Sequence, residues 1–104
     1  MKVRELSRDN EAVVVAVYWA GYQGIRQMHF LVIPYEGYEG LISVLESECV
    51  ITDSSLDGFR LVKGASQEDI LVLGSVLEDD LLDRMIDHDP MAMTKYRERQ
   101  TVAD

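Results

Sequence analysis

Two apolar segments joined by a glycine-bounded turn decide the fold of this chain: AVVVAVYWA at residues 12–20 and IRQMHFLVI at residues 25–33. Both segments are rich in β-branched and aromatic residues, whose stiff side chains suit the packed surface of a sheet. Gly21 and Gly24 bound the connection between them, and glycine adopts positive φ at little steric cost. The pattern predicts a central antiparallel hairpin that ends at Pro34, with both faces at least partly covered.

Shorter strands are predicted around this hairpin. The same criteria assign four of them, at residues 2–6, 48–53, 59–63 and 69–73. Turn residues at 54–58 join the second and third of these strands, which predicts a second hairpin, and the first is expected to pair with the strand at 12–20. Residues 41–46 fit both helical spacing and a strand, and their β-branched content favours the strand.

The hydrophobic period changes to that of a helix after Gly74. Ser75 and Glu78 have the spacing of a capping box, which predicts a helix start. The apolar face of this helix is predicted at Val76, Leu77, Leu81, Leu82, Met85 and Ile86, and its acidic face at Asp79, Asp80, Asp83 and Asp87. Asp89 followed by Pro90 is a second start signal and predicts a final helix over residues 90–98.

The order of these elements predicts an α+β fold in a single domain that spans residues 1–104. Residues 1–74 are expected to form a mostly antiparallel sheet of about five to seven strands. Residues 75–100 are expected to form two short C-terminal helices that pack on one face or one end of this sheet.

The charge of the chain excludes several classes of partner. Nineteen Asp and Glu residues stand against ten Lys and Arg, a formal net charge of −9, and most of the acids lie within residues 34–89. Such a field repels nucleic acids and anionic membranes and attracts a basic protein, although an acidic surface also serves solubility alone. No run approaches the roughly 20 apolar residues of a membrane helix, and the N-terminus lacks the apolar core of a signal peptide. The chain is therefore expected in the cytoplasm.

Motifs for catalysis, metal binding or cofactor binding are missing from the sequence. There is no glycine-rich nucleotide fingerprint, no phosphate loop and no nucleophile elbow. Cys49, His29 and His88 are the whole Cys and His inventory, too few for a structural zinc site. Cys49 lies in an apolar run and is expected as a buried thiol in a reducing compartment. We expect no metal, no cofactor and no enzymatic activity.

Tyrosines beside carboxylates mark the candidate binding site, because aromatic anchors hold a complex and acids speed its formation with a basic partner. The loop YEGYEG at residues 35–40 carries two such tyrosines. The candidate partner-binding residues are Tyr35, Glu36, Tyr38, Glu39, Glu46, Glu48, Asp53, Asp57, Asp79, Asp80, Asp83 and Asp87.

In size, charge and lack of catalytic motifs, the whole chain resembles the small acidic immunity proteins of bacterial toxin systems. Many of these are single α+β domains that neutralise a basic nuclease toxin by covering its active site. The resemblance implies a cytoplasmic inhibitor that binds a basic, nuclease-like protein toxin directly.

Two alternatives remain open from the sequence. The valine-rich sheet presents an apolar face that a second copy of the chain would cover, which predicts a self-associating structural or accessory domain, with a homodimer as its simplest form. A small ligand-binding or enzymatic domain would instead use His29 and tyrosines in a cavity of the sheet.

Overall fold

Seven β-strands precede two α-helices in the computed structural model, which describes residues 1–22, 24–64 and 67–102. The strands are β1 (Lys2–Glu5), β2 (Ala12–Tyr22), β3 (Ile25–Ile33), β4 (Ile42–Leu45), β5 (Cys49–Asp53), β6 (Phe59–Lys63) and β7 (Asp69–Leu73). The helices are α1 (Leu81–Ile86) and α2 (Pro90–Val102), and short 3-10 turns lie at Glu46–Glu48 and Gly74–Val76. The predicted α+β fold is confirmed, and residues 42–45 form a strand as predicted.

The sheet is antiparallel and is built on the long strand β2. β3 pairs with β2 along its length and β4 pairs with β3, so the predicted central hairpin is confirmed; position 23 of its turn lies outside the described residues. The other edge of β2 is shared by β1, where Val3 lies opposite Ala12, and by β7, where Val72 lies opposite Ala16. Pairing of the first two strands, β1 and β2, is also confirmed.

The predicted second hairpin is wrong. β5 pairs antiparallel with β1, and β6 pairs antiparallel with β7. Both strands are thereby joined to partners that lie directly beside β2, the central strand of the sheet. The turn at 54–58 therefore connects two separate outer strands instead of closing a hairpin.

The short connection between β4 and β5 forces the sheet to curl. These strands occupy the two ends of the order β4-β3-β2-β1-β5. In a flat sheet, four spacings of about 4.8 Å would separate them by about 19 Å. The three residues Glu46–Glu48 span at most about 15 Å between Leu45 and Cys49. The two edges therefore turn toward each other, and the enclosed face holds one buried cluster: Val3, Ala12, Val14, Val17, Phe30, Val32 and Val44.

The helices cover the opposite face of the sheet. An extra residue in β2, Val15, shifts the register against β3 and points into this second cluster together with Ala16. The cluster consists of Val15, Ala16, Leu41, Val72, Val76, Leu81, Met85, Ala92, Met93 and Tyr96. Both faces of the central hairpin are thus partly covered, as the apolar residues on both faces predicted, while Ile25 near its turn is exposed.

The helix predicted from Ser75 does not form as one element. Asp79 and Asp80 adopt left-handed φ values of 60° and 55°, and α1 begins only at Leu81. Ser75 does not cap it, because its hydroxyl accepts a hydrogen bond from the Gln100 side chain at 2.9 Å. Tertiary contacts with α2 override the local capping signal. Leu77 and Ile86, predicted on the apolar face, are consequently exposed.

The second helix start is confirmed. The Oδ1 atom of Asp89 accepts a hydrogen bond from the backbone N–H of Met91 at 2.9 Å, which satisfies a donor at the helix terminus. α2 is longer than predicted and reaches Val102. None of the helices in the described ranges is long and apolar enough to cross a membrane.

Candidate partner-binding surface

The tyrosine loop, residues 34–41, is built on a tight turn. The backbone N–H of Tyr38 donates to the carbonyl of Tyr35 at 3.2 Å, and Gly37 between them has a φ of 92°. Glycine is favoured at this third position because the turn requires a positive φ there. The two tyrosine rings meet edge to face with centroids 5.3 Å apart, and Glu36 is exposed at the tip.

Contacts at both ends fix the tyrosine loop to the rest of the protein. The Asn10 side chain donates to the carbonyl of Pro34 at 2.6 Å. At the other end, the Arg97 guanidinium of α2 donates to Glu39 at 3.2 Å, and Gly40 packs against the ring of His88. The loop is thus held in place before any partner binds, which lowers the entropic cost of binding.

His88 joins the tyrosine loop to the end of α1. Its own φ is 60°, and the backbone N–H groups of His88 and Asp89 close the helix onto the carbonyls of its last turn, as in a Schellman motif. The imidazole meets the Tyr38 ring edge to face at a centroid distance of 5.7 Å. Asp87 precedes His88 in the chain, so the acidic end of α1 lies beside the tyrosine loop.

Two of the predicted site residues form ion pairs with other residues of this protein. Glu39 pairs with Arg97, and Asp79 lies 3.1 Å from the Lys95 ammonium and 2.5 Å from the Arg99 guanidinium. Hydrogen bonds from Lys95 and then Arg99 hold the pKa of the Asp79 carboxyl below its ordinary value. These ion pairs hold α2 against the tyrosine loop, which carries Glu39, and against the segment before α1, which carries Asp79.

A groove with a volume of about 300 Å³ opens where the tyrosine loop meets α2 and the start of β2. Its lining combines apolar side chains, tyrosine rings and carboxylates: Val13, Ile33, Met93, Tyr35, Tyr38, Tyr96, Glu11 and Glu36. Arg97 also lines it. Cavities that combine an apolar lining with a few polar groups are the usual form of a binding site.

Six of the lining residues named above were not among the predicted site residues: Glu11, Val13, Ile33, Met93, Tyr96 and Arg97. Glu11 and Val13 flank the start of β2, and only the fold shows that this start lies beside the tyrosine loop. Tyr96 lies on α2, and its side chain is buried. Burial raises the pKa of its phenol, so the hydroxyl stays protonated in neutral solution.

The remaining predicted acids fall into two places. Asp83 is exposed on α1, and Asp80 is exposed directly before it. Glu46 and Glu48 lie at the opposite end of β4 from the tyrosine loop, and Asp53 and Asp57 lie at and beyond the end of β5. The structure therefore divides the predicted acidic region, and the tyrosine loop shares its surface with α1 and not with β5.

Cys49 begins β5 and is half-buried, less enclosed than expected. Burial raises the pKa of its thiol above the ordinary value, and the carboxylates of Glu5, Glu48 and Glu46 raise it further. A neutral thiol is a poor nucleophile and a poor metal ligand. Within the described ranges, no three Cys, His, Asp or Glu side chains are arranged to hold a metal ion.

His29 lies on the face of the sheet and stacks on Tyr18, with ring centroids 5.0 Å apart and an interplanar angle of 11°. The Tyr18 hydroxyl shares a hydrogen bond of 2.7 Å with the Ser43 hydroxyl on β4. This arrangement links the side chains of three neighbouring strands, β2, β3 and β4. The stacking on Tyr18 explains why a histidine lies in this apolar hairpin, and no ligand has to be invoked.

Scans against protein-family models, curated proteins and solved structures found no match to this chain.

Proposed function

We propose that this protein is a bacterial cytoplasmic inhibitor of the immunity-protein type, which binds a basic, nuclease-like protein toxin directly. The observation that carries the proposal is the groove beside the tyrosine loop, bordered by carboxylates that have no ion pair among the described residues. Glu11 and Glu36 are such carboxylates, and both are exposed. Asp83 on α1 and Asp87 at its end, next to the His88 that contacts Tyr38, are exposed as well.

The surface has the two properties that fast and tight binding requires. Exposed acids attract a basic protein over a distance and raise the association rate. Tyr35, with 49% of its surface exposed, and Tyr38 offer aromatic anchors whose positions are fixed by the turn. Since the loop is already ordered, binding does not have to order it.

Affinity capture from a lysate of the source cells, at low and at moderate salt, tests this proposal. The test variant reverses one carboxylate of the tyrosine loop, one of α1 and one at the end of α1: Glu36→Lys, Asp83→Lys and Asp87→Lys. The control variant makes the same charge change at the far end of β4 and on β5: Glu46→Lys, Glu48→Lys and Asp53→Lys. The captured protein is identified by mass and its nuclease activity is measured with and without an equimolar amount of the purified inhibitor.

We expect the wild type and the control variant to capture one basic protein at low salt and to inhibit its activity. The test variant should lose it, because reversed charges repel a basic surface and salt screens the attraction. Equal capture by the test variant, or a captured protein that stays active, contradicts the proposal.

A second candidate function is self-association through β5. This strand pairs on one edge only within the described residues, and its residues Val50 and Ile51 are 42% and 41% exposed. Open apolar edges are templates for pairing with another chain. Sedimentation of the wild type at increasing concentration tests this function, and a monomer throughout excludes it.

A further inference from the structure

We infer that the groove beside the tyrosine loop takes the side chain of one lysine or arginine of the partner. This inference rests on the proposed function and names the chemical group that its binding surface selects. The ligand class is an extended cation with an aliphatic stem.

The lining of the groove matches both parts of such a side chain. Val13, Ile33 and Met93 supply apolar surface for the aliphatic stem, which lysine and arginine commonly bury while the charged head stays polar. The rings of Tyr35 and Tyr38, held edge to face, offer aromatic faces to the cation. A volume of about 300 Å³ suits one long side chain.

The charges of the groove favour a cation over a neutral or anionic ligand. Among the described residues of the lining, Arg97 is the single basic one, and its guanidinium pairs with Glu39 at 3.2 Å. The carboxylates of Glu11 and Glu36 then remain as a negative excess at the groove. An anion would meet these two carboxylates and is disfavoured.

Binding of small probes to the full chain tests the inference. The backbone amide chemical shifts of an isotope-labelled sample report this binding. The probes are Nα-acetylarginine N-methylamide, its lysine counterpart and its citrulline counterpart, which keeps the shape of arginine without the charge. The variants Glu36→Gln and Tyr38→Leu change the groove. Glu46→Gln, an exposed carboxyl at the opposite end of β4, is the matched control.

We expect the two cationic probes to shift the amides of the tyrosine loop with a roughly millimolar Kd, and the citrulline probe to bind several-fold more weakly. Glu36→Gln and Tyr38→Leu should each weaken the cationic probes about 2- to 5-fold, as the loss of one ion pair or one cation–π contact implies, and Glu46→Gln should not. Equal binding of citrulline and arginine, shifts confined to another surface, or no saturable shift up to about 50 mM overturns the inference.

The outcomes separate this inference from the proposed function. If the charge-reversed variant loses a basic partner but the probes do not bind, the proposed function stands and the occupant of the groove is wrong. If the probes bind and no basic partner is captured, the chemistry of the groove stands and the inhibitor function falls.

Discussion

Gly40 lies so close to His88 that a Cβ atom at position 40 would be 2.7 Å from the Cγ atom of the imidazole. Real Cβ atoms do not approach other atoms this closely, so only glycine fits without movement of the ring or the backbone. The contact joins the tyrosine loop to the end of α1, the two parts of the proposed binding surface.

A methyl group at position 40 is therefore expected to destabilise the protein. Gly40→Ala should lower the free energy of unfolding by about 1–3 kcal/mol, as overpacking usually does. His88→Gly removes the ring and suits the left-handed φ of 60° at that position. In this background Gly40→Ala should cost clearly less. Urea denaturation of the four proteins measures the coupling, and an equal cost in both backgrounds contradicts the contact.

The loss of folding stability in acid should depend on Asp79. Its pKa is lowered by hydrogen bonds from Lys95 and then Arg99, so the charged form is favoured in the folded state. The stabilisation is present at pH values above the ordinary pKa of 3.8 and is lost as the pH falls through the lowered folded pKa. Asp79→Asn should be slightly less stable than wild type at neutral pH and equal to it in strong acid.

Urea midpoints at both pH values and at high salt check this expectation. Because the pair is at the surface, salt should shrink the difference at neutral pH. Asp83→Asn, which removes an exposed carboxyl without an ion pair in the described part of the chain, is the control and should show no such pH dependence. A difference between Asp79→Asn and wild type that persists in strong acid would have another origin.

Asp89 should connect the two helices through both of its oxygens. Oδ1 caps α2 at the N–H of Met91, and Oδ2 accepts from Arg84 of α1 at 2.9 Å. Asp89→Ser keeps an acceptor for the cap and loses the ion pair, and Asp89→Ala loses both. Thermal unfolding should rank wild type above Asp89→Ser and Asp89→Ser above Asp89→Ala. Equal midpoints for the two variants would show that the cap contributes nothing.

The central hairpin and the start of α2 could be predicted from the sequence because local signals decided them. Two β-branched runs separated by glycines have no competing structure, and the Asp89-Pro90 pair fits the first turn of a helix and little else. Ser75 shows the opposite case. Ser75 has the spacing of a capping box, but its hydroxyl and its carbonyl accept hydrogen bonds from side chains of α2, far along the chain, and it caps no helix.

The candidate site was predictable only in part for a similar reason. The tyrosine loop stands out in the sequence, since tyrosines next to acids are easily recognised. Its neighbours could not be found, because Glu11 and Tyr96 reach the groove only through the pairing of β2 with β3 and the packing of α2. Nor does composition show which acids are already paired, as Glu39 and Asp79 are.

Cys49 is expected to react slowly. Burial raises the pKa of its thiol first, and the carboxylates of Glu5, Glu48 and Glu46 add to the effect, so little reactive thiolate forms in neutral solution. Alkylation by iodoacetamide should be several-fold slower in the folded protein than in urea. Glu48→Gln should speed it, and Asp57→Asn, beyond the end of β5, should not. Equal rates in folded and unfolded protein would contradict the raised pKa.

Acids at both ends of β5 should keep this open strand from pairing with itself. If two copies of β5 paired antiparallel about Val50 and Ile51, Glu48 of one copy would lie opposite Asp53 of the other, and directly opposed like charges destabilise a strand pair. These charges therefore protect the exposed apolar edge from pairing with a second copy.

We expect the wild type to sediment as a monomer and the double variant Glu48→Gln/Asp53→Asn to dimerise as its concentration rises. The variant Glu36→Gln/Asp83→Asn, with the same change in net charge at the tyrosine-loop surface, should remain a monomer. A wild type that dimerises as readily as the double variant would show that these acids do not oppose self-association and would favour the second candidate function.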